Sequence, residues 1–237
     1  MNRRRFLTLT AACLAAPAGA RATDVAEWQG RGLGAALALR LVGADMSAAR
    51  RTFARVGREV ARIEATFSLF RDSALTRLNR DGHLAWPSED VAALLGLAGR
   101  VHAATGGAFD PTVQPLWLAL ATEGDIAAAR ALIGWDRVRV TAQEIRLAPG
   151  QALTLNGIAQ GWAADRITAL LKDEGYGDAL IDMGEVAALG HRPDGGDWIA
   201  RIASPQGRAL GAARLSNRAL ATSSPRGTLI GEGKPHI

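Results

Sequence analysis

Three short blocks of this 237-residue chain combine residue types and spacings that can do chemistry. The run Leu155-Asn156-Gly157-Ile158-Ala159-Gln160-Gly161-Trp162-Ala163-Ala164-Asp165 reads as a strand end, a glycine-containing turn and a helix start. Such a turn exposes backbone groups, and the first turn of a helix carries orphan N–H donors that favour a phosphate or another anion. A plain strand-to-helix turn, with Asp165 favoured by the helix dipole, fits the spacing equally well. In Gly106-Gly107-Ala108-Phe109-Asp110-Pro111-Thr112, Asp110 is either a ligand-facing carboxylate or an N-cap with proline at N1. In Asp182-Met183-Gly184-Glu185-Val186, carboxylates stand at a strand's carboxyl end, a place that commonly faces a ligand crevice, although Glu185 also suits a solvated position.

Several familiar chemistries are excluded. Gly30, Gly32 and Gly34 imitate a dinucleotide fingerprint, but that motif opens a helix and here a strand follows. No Walker lysine follows a glycine loop, and no G-x-S-x-G elbow exists. His83, His102, His191 and His236 are scattered without metal-ligand spacing.

The elements that must position these blocks follow from periodicity. Leu33, Leu37, Leu39 and Leu41 alternate along a first strand ending near Val42, and Phe53, Val56, Val60, Ile63 and Phe67 recur at helical spacing over about Met46–Thr66. A second helix starts at the Ser88 cap and ends at Gly106, a third covers Asp125–Ile133, and a fourth covers Gly161–Glu174. Val138–Val140, Ile145–Leu147, Leu153–Leu155, Ala179–Asp182, Trp198–Ile202, Ala213–Leu215 and Leu220–Thr222 read as strands. This order predicts an α+β or α/β fold with helices carried on a mixed sheet.

The composition, 48% hydrophobic and 22% charged, is that of a globular protein with a real core. Residues 1–22 read as a targeting leader: a basic start, an apolar run from Phe6 to Ala16, and an A-x-A pattern at Ala18 and Ala20. Arg3, Arg4, Phe6 and Leu7 match the twin-arginine form, with an ordinary Sec leader as the alternative. Removing Arg3, Arg4 and Arg5 lowers the formal charge from +5 to about +2, so no nucleic-acid partner is expected. The single cysteine, Cys13, lies within the leader, which leaves residues 23–237 without thiol chemistry, and no segment beyond the leader is long and apolar enough to span a membrane.

Together the blocks resemble the ApbE family of FAD:protein FMN transferases. The resemblance runs from Leu33 to Ile237 through Phe67-Ser68-Leu69-Phe70, Asp72 to Leu75, Asn79, Gly107 to Pro115, Asn156 to Asp165, Asp182 to Gly190, Thr222-Ser223 and His236-Ile237. It implies an α+β, T-fold-like single body over residues 23–237. It further implies that Leu33, Ser68, Leu69, Phe70 and Ile237 line the flavin nucleotide site, and that Asp110 and Gln160 hydrogen-bond the nucleotide. The carbonyl of Gly157 falls where the family offers an oxygen to Mg²⁺, and His236 falls where a proton acceptor is sought.

The implied activity is Mg-dependent transfer of FMN from FAD to a threonine or serine hydroxyl of a partner, with AMP released. That partner would be an acceptor flavoprotein of a periplasmic or membrane-bound electron-transfer chain. A flavin-binding accessory protein and an FAD pyrophosphatase are the alternatives. Three departures qualify the resemblance: Gln160 replaces a Lys or Glu, Met183 replaces a Gly, and the chain stops at Ile237 before the family's further Asp and Thr metal ligands. The last departure implies that the chain as it stands binds FAD more readily than it transfers FMN.

The leader carries its own test. Replacing Arg3 and Arg4 by Lys is expected to hold the protein in the cytoplasm on fractionation, and unchanged export would assign it to the Sec route.

Overall fold

The computed structural model describes residues 24–204, 206–223, 229–230 and 234–235, so the leader, His236 and Ile237 lie outside the described residues. The strands are β1 (Val25–Gly32), β2 (Ala35–Val42), β3 (His83–Ala85), β4 (Arg139–Val140), β5 (Glu144–Arg146), β6 (Ala179–Asp182), β7 (Val186–Leu189), β8 (Trp198–Ala203), β9 (Ala209–Leu215), β10 (Arg218–Leu220), β11 (Leu229–Ile230) and β12 (Lys234–Pro235). The α-helices are α1 (Met46–Phe67), α2 (Ala74–Asp81), α3 (Glu89–Ala104), α4 (Gln114–Thr122), α5 (Ile126–Ala131) and α6 (Ala159–Asp173). Contacts divide the chain into two compact units. One is built from residues up to Val60 and from Gln160 through β10, the other from residues 61–159 with β11 and β12.

The first unit centres on a five-stranded sheet in the order β1-β2-β6-β7-β10. The fold class is α+β as expected, while the sheet pairings are antiparallel throughout the described residues rather than mixed. Short reversals account for this, because β1–β2 and β6–β7 are hairpins with two- and three-residue connections and cannot run parallel. Leu37, Leu39 and Leu41 line one buried face of β2, as their alternation requires. β7 is buried along its whole length, with Val186 and Ala188 packed into a cluster with Trp198, Ala200 and Leu215. The Trp198 indole N–H in that cluster donates to the Leu189 carbonyl at 3.3 Å, so the buried donor is satisfied.

The expected first strand is in fact the second. β1 was hidden by Gly30 and Gly32, residues depleted in strands. The Trp28 ring compensates by lying where a side chain at Gly30 would be, 2.5 Å from the place of its missing Cβ.

In the second unit, the apolar stripe expected on α1 continues through Ile63 and Phe67, both buried. Phe67, Leu75, Leu78, Val91, Leu95 and Leu155 line one apolar void. Ser88 caps α3 through the Val91 N–H, and Asp125 caps α5 through the Ala128 N–H, at the boundaries read from sequence. Leu153–Leu155 forms no ladder strand. Instead the Asn79 side chain takes the Leu153 N–H at 2.7 Å and donates to its carbonyl at 2.8 Å, standing in for a neighbouring strand.

Candidate functional site

The first unit gathers one group of candidate residues around two turns. Leu33 and Gly34 join β1 to β2 with φ of 53° and 78°, the paired positive values that a tight hairpin demands. The side chain of Gln160, near the start of α6, reaches the Leu33 carbonyl at 3.4 Å. The same amide lies over Gly184, whose Cβ, if present, would stand 2.3 Å from Gln160 Nε2. Gly184 has φ of 93° and lies in the β6–β7 turn. Leu33, Gln160 and Gly184 therefore form one contiguous group, two of them among the residues expected to meet the flavin nucleotide.

Two carboxylates flank that group. Asp182 Oδ1 accepts the Gly184 N–H at 3.0 Å, and Glu185 Oε2 accepts the Thr222 N–H at 3.2 Å. Both residues are half-buried, so the solvated reading of Glu185 does not hold. Burial pushes both carboxyls above their ordinary range, with each backbone bond pulling down and the Asp182 charge adding to the rise of Glu185. Met183, expected to crowd this turn, is 0% exposed, its bulk turned into the core.

The turn before α6 belongs to the second unit. Gly157 is exposed, and the Phe109 ring lies 3.2 Å from where its Cβ would be. The Gly157 N–H has no acceptor among the described residues and stands open at the helix start. Phe109 is held in turn by His102, whose Nδ1 donates to the Phe109 carbonyl at 2.9 Å.

Next along the chain, Asp110 Oδ1 accepts from the Thr112 N–H at 2.8 Å and the Thr112 hydroxyl at 2.6 Å. Its Oδ2 accepts the Trp135 N–H at 3.3 Å, and the side chain is 9% exposed. The geometry thus gives Asp110 the capping role with Pro111 at N1, and both of its oxygens already serve the fold.

Ser68, Leu69 and Phe70 form a separate turn of the second unit. Ser68 Oγ accepts the Phe70 N–H at 3.1 Å, and its carbonyl accepts the Ser73 hydroxyl at 2.7 Å. Ser73 also caps α2 in a reciprocal box with Thr76, so the turn is pinned at both ends while the Phe70 ring stands 71% exposed. An exposed aromatic on a rigid turn is suited to stacking on a planar ligand.

Sequence reasoning passed over Trp162. Its indole N–H is buried and finds no acceptor among the described residues, an orphan donor in the early turns of α6. Its type gave no signal, since an indole there reads as helix packing. Asp165, in the second turn, has its carboxyl raised by desolvation, the opposite of what the helix dipole alone would do.

Comparison with known proteins gives concordant matches. The sequence profile of the ApbE family matches residues 33–237. The FAD:protein FMN transferase of Salmonella typhimurium is 29% identical over 217 residues, covering 83% of this chain and 62% of that protein. That of Escherichia coli K12 is 26% identical over 209 residues, covering 80% and 60%. The chain thus spans about six-tenths of the length of these relatives. Among solved structures, the flavin transferase ApbE from Vibrio cholerae superposes with a TM-score of 0.77 at 23% identity, covering 91% of this chain and 76% of that one. The apo form of Pseudomonas stutzeri flavinyl transferase ApbE gives 0.72 at 26% identity, covering 82% and 66%.

The raised carboxyls set a pH signature. A carboxyl whose folded pKa is raised contributes stability that is complete below the ordinary carboxylate range, about 4, and is lost as pH rises through the raised value. Thermal melts of Asp182→Asn/Glu185→Gln and the wild type are therefore expected to converge in acid and separate toward neutrality, the variant melting higher. A gap that instead closes toward neutrality would contradict the burial argument.

Proposed function

The chain belongs to the ApbE family, and from that premise we propose that it transfers FMN from FAD to a threonine or serine hydroxyl of a protein acceptor. The observation that carries the reading is the opening of α6 from Gln160 onward, in the first unit. It offers a buried, unsatisfied indole N–H at Trp162. Gly161, in the first turn of that helix, faces open space, with nothing within 4 Å of a Cβ there. A glycine in a helix costs up to about 1 kcal/mol against alanine, and packing does not require this one. Close approach of a ligand to the backbone does supply a reason. The helix start then orients the pyrophosphate, whose charge its dipole favours.

The reaction breaks the bond between the bridging oxygen and the FMN phosphorus of FAD. The acceptor hydroxyl oxygen forms a new bond to that phosphorus, its proton passes to a base, and AMP leaves with the bridging oxygen. His236 is the proposed base and Ile237 a proposed flavin neighbour, both outside the described residues. In the first unit Gln160, set by Leu33 and Gly184, serves the nucleotide in this proposal. Magnesium belongs to it through the Gly157 carbonyl alone. No three His, Cys, Asp or Glu side chains come together as a metal site among the described residues, and magnesium would take phosphate oxygens and waters besides.

The acceptor is proposed to be a flavoprotein of a periplasmic or membrane-bound electron-transfer chain, reached after export through the leader. No helix among the described residues is long and apolar enough to cross a membrane.

The test is incubation of the full chain with FAD, Mg²⁺ and a threonine-bearing peptide, followed by mass spectrometry. The expected product, however slowly formed, is peptide carrying FMN with an equal amount of AMP. Free FMN and AMP without labelled peptide would establish the pyrophosphatase alternative, and FAD binding without cleavage the accessory one.

A further inference from the structure

From Trp198 to Ile230 the chain contains five arginines and no acidic residue. Much of this stretch is the β8–β9 hairpin of the first unit. Its inner face is used, since Trp198, Ala200 and Leu215 pack with Val186 and Ala188 of β7. Its outer face has a different character. In register, Ile199 stands opposite Arg214 and Arg201 opposite Ala212, and Leu210 follows at the bulge between the Ile202–Gly211 and Ala203–Ala209 pairs. All five are exposed, Ile199 by 43% and Leu210 by 57%.

The charges there are largely uncompensated. Arg201 and Arg208 have no ion pair among the described residues, and Arg214 reaches Asp197 only at 3.8 Å with its side chain 80% exposed. Arg218, exposed on β10, adds a fourth cation. Apolar side chains set among arginines that are unpaired or, at Arg214, weakly paired make a surface that gains by contact with a partner whose own apolar residues are ringed by carboxylates.

We propose that the outer face of the β8–β9 hairpin docks an acidic segment of the protein acceptor, with Arg201 and Arg214 pairing its carboxylates and Ile199 and Leu210 covering its apolar side chains. The choice of a protein as occupant rests on the transfer reading, which requires one to reach this chain, and the choice of an acidic one rests on charge complementarity. The hairpin packs on β7, which begins next to Glu185, and Glu185 holds the Thr222 N–H. Docking here would therefore bring the acceptor to the unit that carries Leu33, Gln160 and Gly184.

The test uses the full chain and three dye-labelled peptides of one length, each with a central threonine flanked by acidic, neutral or basic residues. Fluorescence anisotropy is expected to show binding of the acidic peptide alone, weakening as salt rises. Arg201→Glu/Arg214→Glu is expected to weaken it about ten-fold or more. The same charge change on α1, Arg50→Glu/Arg58→Glu, is expected to cost less than about three-fold. Leu210→Ser, at an exposed position that leaves the charges intact, should also weaken it. Circular dichroism checks that each variant is folded.

Equal losses in the two arginine pairs, or equal binding of acidic and basic peptides, would overturn the proposal. So would binding to phosphatidylglycerol vesicles in place of the acidic peptide, which would make the face a membrane contact. FMN transfer is read separately by mass. A chain that holds the acidic peptide through this face but labels no peptide would overturn the transfer reading and uphold the face.

Discussion

The cluster of turns at one end of the first unit depends on the absence of one carbon. The Gln160 amide occupies the space that a side chain at position 184 would fill, and there it reaches the Leu33 carbonyl. Three chain segments distant in sequence, the β1–β2 turn, the head of α6 and the β6–β7 turn, are thereby set against one another by one side chain. The positive φ of Gly184 and the Asp182 bond to its N–H fix the shape of the turn that makes the room. A glycine is needed here for conformation and for clearance at once.

Elsewhere the same economy recurs, with polar side chains completing the backbone where no strand or helix does. Asn79 serves both backbone groups of Leu153, and Asp110 gathers donors from Thr112 and Trp135. Gln151, 3% exposed, binds the carbonyls of Leu132 and Gly134 and accepts the Ala148 N–H. Buried backbone groups left unpaired cost about 1–3 kcal/mol each, so these side chains hold irregular segments that otherwise would not persist.

Much of this was legible in the sequence where a local signal existed. α1 declared itself by the spacing of Val56, Val60, Ile63 and Phe67, and α3 and α5 by the caps Ser88 and Asp125. α4 did not, because Gln114–Thr122 is apolar on nearly every side and opens with Pro115, so it shows no amphipathic period. β3 and β7 are too short for alternation to speak, and β7 is buried on both faces. Ordered motifs singled out Leu33, Gln160, Asp110 and Gly157 as candidates. Only coordinates could separate Gln160, which meets Leu33 and Gly184, from Asp110, whose oxygens are spent on caps. That difference lies in tertiary distances that no residue spacing encodes.

The central claim is that Gln160, seated on Gly184, helps to hold the flavin nucleotide. Gly184→Ala tests it most directly. The new methyl meets the mobile end of Gln160 rather than backbone, so the fold should survive, at a cost of about 1 kcal/mol for the positive φ. FAD affinity, followed by flavin fluorescence, is expected to fall about ten-fold or more as the amide is pushed from its place, with far-UV circular dichroism unchanged. A folded Gly184→Ala protein that binds FAD as tightly as the wild type would contradict the account.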